Sequence, residues 1–167
     1  FTHWIFLKNI LSDNLNFTKF KRSMQLSDKI KNVIRDVPDF PKPGILFKDI
    51  TPLFYNQNLV SEMIKKLADD LSALKIDAIA GIESRGFLFG VLLANYLNVP
   101  FVLIRKSGKL PYKTISQEYD LEYGTAVIEM HEDCILPNWN VLVHDDLLAT
   151  GGTAEASAKL IKPVSYT

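Results

Sequence analysis

Cysteine is almost missing: Cys134 is the only one in 167 residues. No internal disulfide can form, which excludes a disulfide scaffold and favours a reducing compartment. Histidine is scarce too, three in all, so a Cys/His zinc cage is excluded and no all-protein metal site is expected. No apolar run approaches the roughly 20 residues that a membrane-spanning helix needs. Net charge is also absent, because Lys+Arg and Asp+Glu both count 19. A general nucleic-acid or membrane-surface binder carries a basic excess, so neither class of partner is expected. What remains is ordinary for a soluble protein, 47% hydrophobic and 23% charged, with the length of one domain rather than two. The expected location is cytoplasmic.

The two ends stand out. Residues 1–23 open on Phe1 and mix aromatics, asparagines and late basic residues, without the order of charge, apolar core and small residues that a secretory leader has. The expectation is that Met24 is the natural start and that 1–23 is appended or upstream sequence, with an organelle-targeting peptide as the alternative. The last residues, Lys162-Pro163-Val164-Ser165-Tyr166-Thr167, follow a helical stretch directly, where an α/β chain ordinarily continues into another strand. A truncated C-terminus is expected.

Between the ends, helical and buried-strand patterns alternate. Leu26, Ile30, Val33, Ile34 and Val37 recur at helical spacing, and Pro38, Pro41 and Pro43-Gly44 then open an irregular segment through Pro52. A second helix is expected from about Asn58, then a strand at 76–80 and a buried helix from Phe87 to Leu97. Phe101–Ile104 reads as another strand, Arg105–Gln117 as a mobile polar loop, and 117–130 as a hairpin around Gly124. Val141–Val143 is a third buried strand, followed by a loop and a helix over 153–161. Strands alternating with helices predict an α/β fold, a parallel sheet flanked by helices.

The most informative segment is Val141-Leu142-Val143-His144-Asp145-Asp146-Leu147-Leu148-Ala149-Thr150-Gly151-Gly152-Thr153. Ligands of open parallel sheets bind at the carboxyl ends of strands, where this loop lies. Gly151 and Gly152 let the backbone approach an anion, Thr150 and Thr153 add hydroxyls, and the next helix points its free N–H groups at the same place. No Lys-[Ser/Thr] follows the glycines, so this is no nucleotide-triphosphate loop. Asp145 and Asp146 can accept hydrogen bonds from vicinal hydroxyls and stabilise nearby positive charge. A phosphate beside a diol is a ribose 5-phosphate. An acidic turn before a glycine-rich helix start explains each piece separately, but not their order.

This block resembles the phosphoribosyl-pyrophosphate motif of the type I phosphoribosyltransferases. Four further stretches resemble the members of that family that act on adenine: Asp39-Phe40-Pro41-Lys42-Pro43-Gly44-Ile45-Leu46-Phe47-Lys48-Asp49-Ile50-Thr51-Pro52, Gly81-Ile82-Glu83-Ser84-Arg85-Gly86-Phe87-Leu88-Phe89-Gly90, Arg105-Lys106-Ser107-Gly108-Lys109-Leu110-Pro111 and Leu121-Glu122-Tyr123-Gly124. The resemblance covers about residues 24–162. It implies one domain over 24–167, with a hood at about 37–55, a lid at about 105–124 and a phosphoribosyl-pyrophosphate loop at 141–153.

The roles it implies are specific. Ala149, Thr150, Gly151, Gly152 and Thr153 would hold the sugar 5-phosphate, and Asp145 and Asp146 would face the ribose hydroxyls. Ser84 and Arg85 would hold pyrophosphate, with Arg105, Lys106 and Lys109 joining them from the lid, while Lys113 reads as a solvated charge. Leu46, Phe47 and Lys48 would contact adenine, Leu147 would form the opposite wall, and Phe47 as plain core is the rival. Family members often carry Arg where Lys48 stands. Glu122 would handle the base's proton, with Tyr123 beside it. His144 stands where many relatives carry Val or Ile and reads as a core histidine. The implied reaction takes adenine and phosphoribosyl pyrophosphate to AMP and pyrophosphate, with Mg²⁺ bound mainly through the substrate and a homodimer as the assembly. A phosphoribosyltransferase for another base and a non-catalytic sensor of phosphoribosyl pyrophosphate are the alternatives.

Overall fold

Short apolar runs become central strands here because both of their faces are covered. In β4 (Ala78–Ile82) and β8 (Val141–His144) every residue is buried, the pattern of strands sandwiched between helices. A computed structural model of the chain describes residues 3–5, 26–121, 124–148 and 151–165. The chain divides into two compact units, Lys8–Asp69 and Phe1–Leu7 with Asp70–Thr167.

In the larger unit a six-stranded sheet has the order β1-β8-β4-β5-β7-β6, with β1 at His3–Ile5, β5 at Phe101–Lys106, β6 at Thr114–Asp120 and β7 at Thr125–His131. Strands β1, β8, β4 and β5 run parallel, with His3 opposite Leu142, Ala78 opposite Val141 and Ile79 opposite Phe101. The other two do not. β7 pairs antiparallel with β5, and β6 antiparallel with β7. The sheet is therefore mixed, which corrects the expectation of a parallel one. The connection between β6 and β7 around Gly124 is too short for a crossover, so it can only reverse the chain. Residues 114–117, expected in a loop, are strand, and Arg105 and Lys106 complete β5. His3–Ile5 adds an edge strand within a segment to which the sequence pattern assigns none.

The period-2 alternation of the strands distributes two cores. Ala78, Ala80, Ile82, Val102, Ile104, Val141 and Val143 pack with Ala156, Leu160 and Ile161 of helix α4 (Gly152–Ser165). On the other face, Gly81 and His144 meet helix α3 (Glu83–Leu97) at Gly86 and Gly90. The close approach needs glycine: a Cβ on Gly86 would lie 2.8 Å from the His144 carbonyl oxygen, and one on Gly90 2.7 Å from the Phe101 ring. Among the described residues no helix is long and apolar enough to cross a membrane.

In the smaller unit, residues 26–33 are helical and form the described part of α1. The helix was expected to reach Val37, but Arg35–Pro38 (β2) pairs antiparallel with Leu46–Asp49 (β3), Val37 opposite Phe47. Pro38 explains the early end, since the residues before a proline are pushed towards extended backbone. A 3-10 turn, Thr51–Tyr55, leads into α2 (Gln57–Leu71).

Candidate active site

The site of the larger unit forms where β4 and β8 deliver their carboxyl ends. After β4 the chain turns into α3 through Glu83, whose φ of +43° lies in the left-handed region, uncommon for a non-glycine residue and typical of functional turns. The turn aims the Glu83 carboxylate at the end of β5, where it accepts a hydrogen bond from the backbone N–H of Lys106. Two residues on, the Arg85 guanidinium donates through Nε to Asp146 Oδ2 at 2.7 Å and through Nη2 to the same oxygen.

After β8 come the two acids. The Asp146 side chain is 1% exposed, and its backbone N–H donates to Asp145 Oδ1 at 2.8 Å. Asp146 Oδ1 is buried and finds no hydrogen-bond donor among the described residues. Burial first, and then the Asp146 charge, push the Asp145 carboxyl up to about 7. A hydrogen bond to the Asp146 carboxylate, which only protonated Asp145 donates, acts in the same direction. Asp146 is paired with Arg85, and Asp145 is the carboxyl that sits poised near neutrality.

These groups border a cavity of about 280 Å³ lined by Ile82, Glu83, Ser84, Arg85, Lys106, Tyr119, Ile128, Asp145, Asp146, Leu147 and Thr153. Seven residues expected from the sequence thus meet around one space: Ser84, Arg85, Lys106, Asp145, Asp146, Leu147 and Thr153. Gly151, at φ +86°, makes the turn into α4, and its carbonyl accepts the Glu155 N–H at 2.9 Å. Gly152 begins the helix. The first turn of α4 thus faces the cavity at Thr153, an arrangement suited to an anion.

Other expected residues lie elsewhere or outside the description. Arg105 is half-buried, with its guanidinium 5.9 Å from the Phe87 ring centroid and Nη1 donating to the Lys109 carbonyl at 3.3 Å. Lys109 is exposed in the turn after β5. Lys113 reaches Glu132 at 3.7 Å, as a solvated charge does. Leu46, Phe47 and Lys48 form most of β3 in the smaller unit; Phe47 meets Phe40 edge-on at 5.2 Å, and Lys48 Nζ pairs with Asp36 at 2.6 Å across the hairpin. Glu122, Tyr123, Ala149 and Thr150 lie outside the described residues. His144 is the expected core histidine, 1% exposed, with Nδ1 donating to the Gly86 carbonyl at 3.0 Å. Burial holds its imidazole below the usual histidine range, against the opposing effect of that hydrogen bond.

Two residues of the site were not anticipated. Glu83 falls inside the Gly81–Gly90 stretch, but its left-handed turn has no sequence signature. Tyr119 on β6 accepts a hydrogen bond from Thr153 Oγ1 at 3.1 Å. The alternation of Ile115, Gln117 and Tyr119, all half-buried on one face of β6, is the pattern that could have found it.

The geometry agrees with three comparisons. A model of the phosphoribosyl transferase domain matches residues 53–166. An adenine phosphoribosyltransferase of Cytophaga hutchinsonii is 54% identical over 137 residues, which is 82% of this chain and 76% of that protein. Among solved structures, the adenine phosphoribosyltransferase of Rhodothermus marinus superposes with a TM-score of 0.80 at 48% identity, covering 86% of this chain and 82% of that one. The Saccharomyces cerevisiae enzyme, solved with adenine and an imino-altritol bisphosphate, gives a TM-score of 0.79 at 38% identity, covering 86% and 84%.

Proposed function

This chain belongs to the phosphoribosyl transferase family, among the adenine phosphoribosyltransferases of purine salvage, and from that premise we propose how its residues move the 5-phosphoribosyl group from phosphoribosyl pyrophosphate to adenine. The observation that carries the proposal is the meeting of Arg85, Asp145, Asp146 and Thr153 around one cavity at the strand ends. A substrate with a pyrophosphate, a diol and a 5-phosphate matches those groups in that order.

The 5-phosphate takes the loop Ala149, Thr150, Gly151, Gly152 and Thr153, at the N-terminus of α4. Asp145 and Asp146 accept from the ribose hydroxyls and stabilise the positive charge that develops at the anomeric carbon as its bond to pyrophosphate breaks and N9 of adenine attacks. Pyrophosphate leaves towards Ser84, Arg85 and the basic stretch Arg105, Lys106 and Lys109, which is the root of a lid over about 105–124. For adenine, the smaller unit offers the Phe47 face and the backbone at Leu46 and Lys48, in a hood over about 37–55, and the larger unit offers Leu147. Glu122 takes or redirects the proton that adenine loses.

Mg²⁺ suits this reading. Asp146 Oδ1 is buried and finds no donor among the described residues, and a carboxylate oxygen so placed can receive a water of a hydrated Mg²⁺ held mainly by substrate oxygens. When bound, the ion would neutralise charge on the leaving pyrophosphate. A homodimer is supported by Leu88, Val91, Leu92 and Tyr96, which form an exposed apolar stripe, each 38–53% exposed, on one face of α3. A reducing cytoplasm suits Cys134, whose thiol burial pushes up to about 11, which keeps it protonated.

The deciding experiment incubates the protein with phosphoribosyl pyrophosphate, Mg²⁺ and a panel of adenine, hypoxanthine and guanine, and follows nucleotide formation. AMP should form fastest. Faster turnover of a 6-oxopurine, or binding of phosphoribosyl pyrophosphate without any nucleotide, would count against the proposal.

A further inference from the structure

Glu129 is a buried charged residue, 5% exposed, on β7. Its partner across the sheet is Arg105 on β5. A buried carboxylate is costly unless it is hydrogen-bonded, and Glu129 takes its backbone hydrogen bonds from one short turn after β5, with the Thr114 hydroxyl of β6 beside them. Oε1 accepts the backbone N–H of Lys109 and that of Leu110, each at 3.0 Å. Burial alone would raise its pKa; the Leu110, Gly108 and Lys109 amides and the Thr114 hydroxyl outweigh burial and hold the group below the usual carboxylate range.

The segment is shaped for this contact. Gly108 has φ +81°, which turns successive amides inward. Such a nest of N–H groups ordinarily binds an external anion; here it closes on a carboxylate of the protein's own. Arg105 Nη1 holds the outer side of the turn at the Lys109 carbonyl, 3.3 Å away, and Glu83 takes the amide of Lys106. The backbone that carries Lys106 and Lys109 is thus gripped at 106, at 109 and at 110.

We propose that Glu129 is a positioning residue for the transfer reaction: it fixes the Lys106–Leu110 turn so that its lysines meet the pyrophosphate group already in place. The inference rests on the reading of Arg105, Lys106 and Lys109 as pyrophosphate-holding. Glu129 itself touches no substrate. A pre-formed turn spares the substrate the entropy of ordering two long cationic side chains and their backbone. Loss of the carboxylate therefore weakens substrates that contain pyrophosphate and spares those that do not.

The test compares steady-state constants of Glu129→Ala, Glu129→Gln and the double variant Lys106→Ala/Lys109→Ala in both reaction directions, with thermal unfolding as a check on folding. Glu129→Ala should raise KM for phosphoribosyl pyrophosphate and for pyrophosphate by roughly tenfold or more, the usual scale for a lost charge-assisted hydrogen bond. KM for adenine and AMP should stay close to that of the unaltered protein. Glu129→Gln keeps an acceptor oxygen and should recover much of the loss. If Glu129→Ala does not fold, Glu129→Gln must still raise those two constants selectively. An unchanged KM for both pyrophosphate-bearing substrates, or a uniform fall in kcat without a selective KM effect, would overturn the positioning role. If the lysine double variant leaves both constants unchanged, it is the pyrophosphate reading of the lid that fails instead.

Discussion

Arg85 Nε lies 2.7 Å from Asp146 Oδ2, so the first turn of α3 and the loop after β8 are joined by an ion pair inside the site. The acid is 1% exposed and the arginine side chain 34%. The pair pre-forms the site, because it holds the cation proposed for pyrophosphate and an acid proposed for the ribose in fixed relation before substrate arrives.

Arg85→Ala should therefore harm folding and substrate binding together. Removing one partner strands a buried carboxylate, which costs about 3–5 kcal/mol for a fully buried pair and less here because Arg85 is partly solvated. The melting temperature should fall, and affinity for phosphoribosyl pyrophosphate should drop by at least about tenfold, one lost charge-assisted contact. Calorimetry with and without phosphoribosyl pyrophosphate measures both.

Asp145 carries a pH signature. Its carboxyl stands at about 7 in the folded chain, against an ordinary 3.8, so between those values the folded state holds a proton that the unfolded state has lost. The stabilising contribution of this group is complete below about pH 3.8 and is lost as pH rises through about 7. Asp145→Asn should then melt higher than the unaltered protein at pH 8, by about 2–4 °C for each kcal/mol regained, while losing turnover. Carbon-13 carboxyl titration should show an apparent midpoint near 7 for the Asp145–Asp146 pair. A midpoint near 4 would remove the basis of this expectation.

Glu122→Gln should lower kcat by about 10²–10⁴-fold, the range of general acid–base contributions. Binding of phosphoribosyl pyrophosphate should barely change, since its proposed cradle is the separate loop from Asp145 to Thr153. Single-turnover rates beside equilibrium binding separate the two effects. Near-normal turnover with collapsed affinity would place Glu122 at the wrong end of the site.

Gly86→Ala should be poorly tolerated. The added methyl would meet the backbone oxygen of His144 at 2.8 Å, and neither strand nor helix can give way without moving Arg85 or Asp145. A loss of about 1–3 kcal/mol is the scale of such overpacking. Chemical denaturation reads that loss, and KM for phosphoribosyl pyrophosphate should rise with it.

Much of this was readable in advance, for local reasons. The buried runs at Phe101–Ile104 and Val141–Val143 admitted little but interior strands, and the order acid, acid, glycine, glycine, threonine pointed to the loop where Asp145, Asp146 and Thr153 line one cavity. What was not readable depends on pairing at a distance. Val37 fits a helical stripe until Phe47 is known to lie opposite it. Thr114–Gln117 looks like loop until β7 supplies its hydrogen bonds. Glu83 and Glu129 are ordinary exposed types in sequence, and only the fold shows that their carboxylates hold backbone amides of the segment from Lys106 to Leu110.

The tight seat of α3 has an evolutionary consequence. The Phe101 ring fills the space that side chains on Gly81 and Gly90 would need, so the three positions share one volume and are not free to vary separately. A lineage that replaced Phe101 with a smaller aliphatic residue would open room for alanine at 90, whereas at 81 the Gly86 carbonyl oxygen, 3.0 Å from an added Cβ, would still crowd it. Change at position 90 is thereby tied to the size of the side chain at 101.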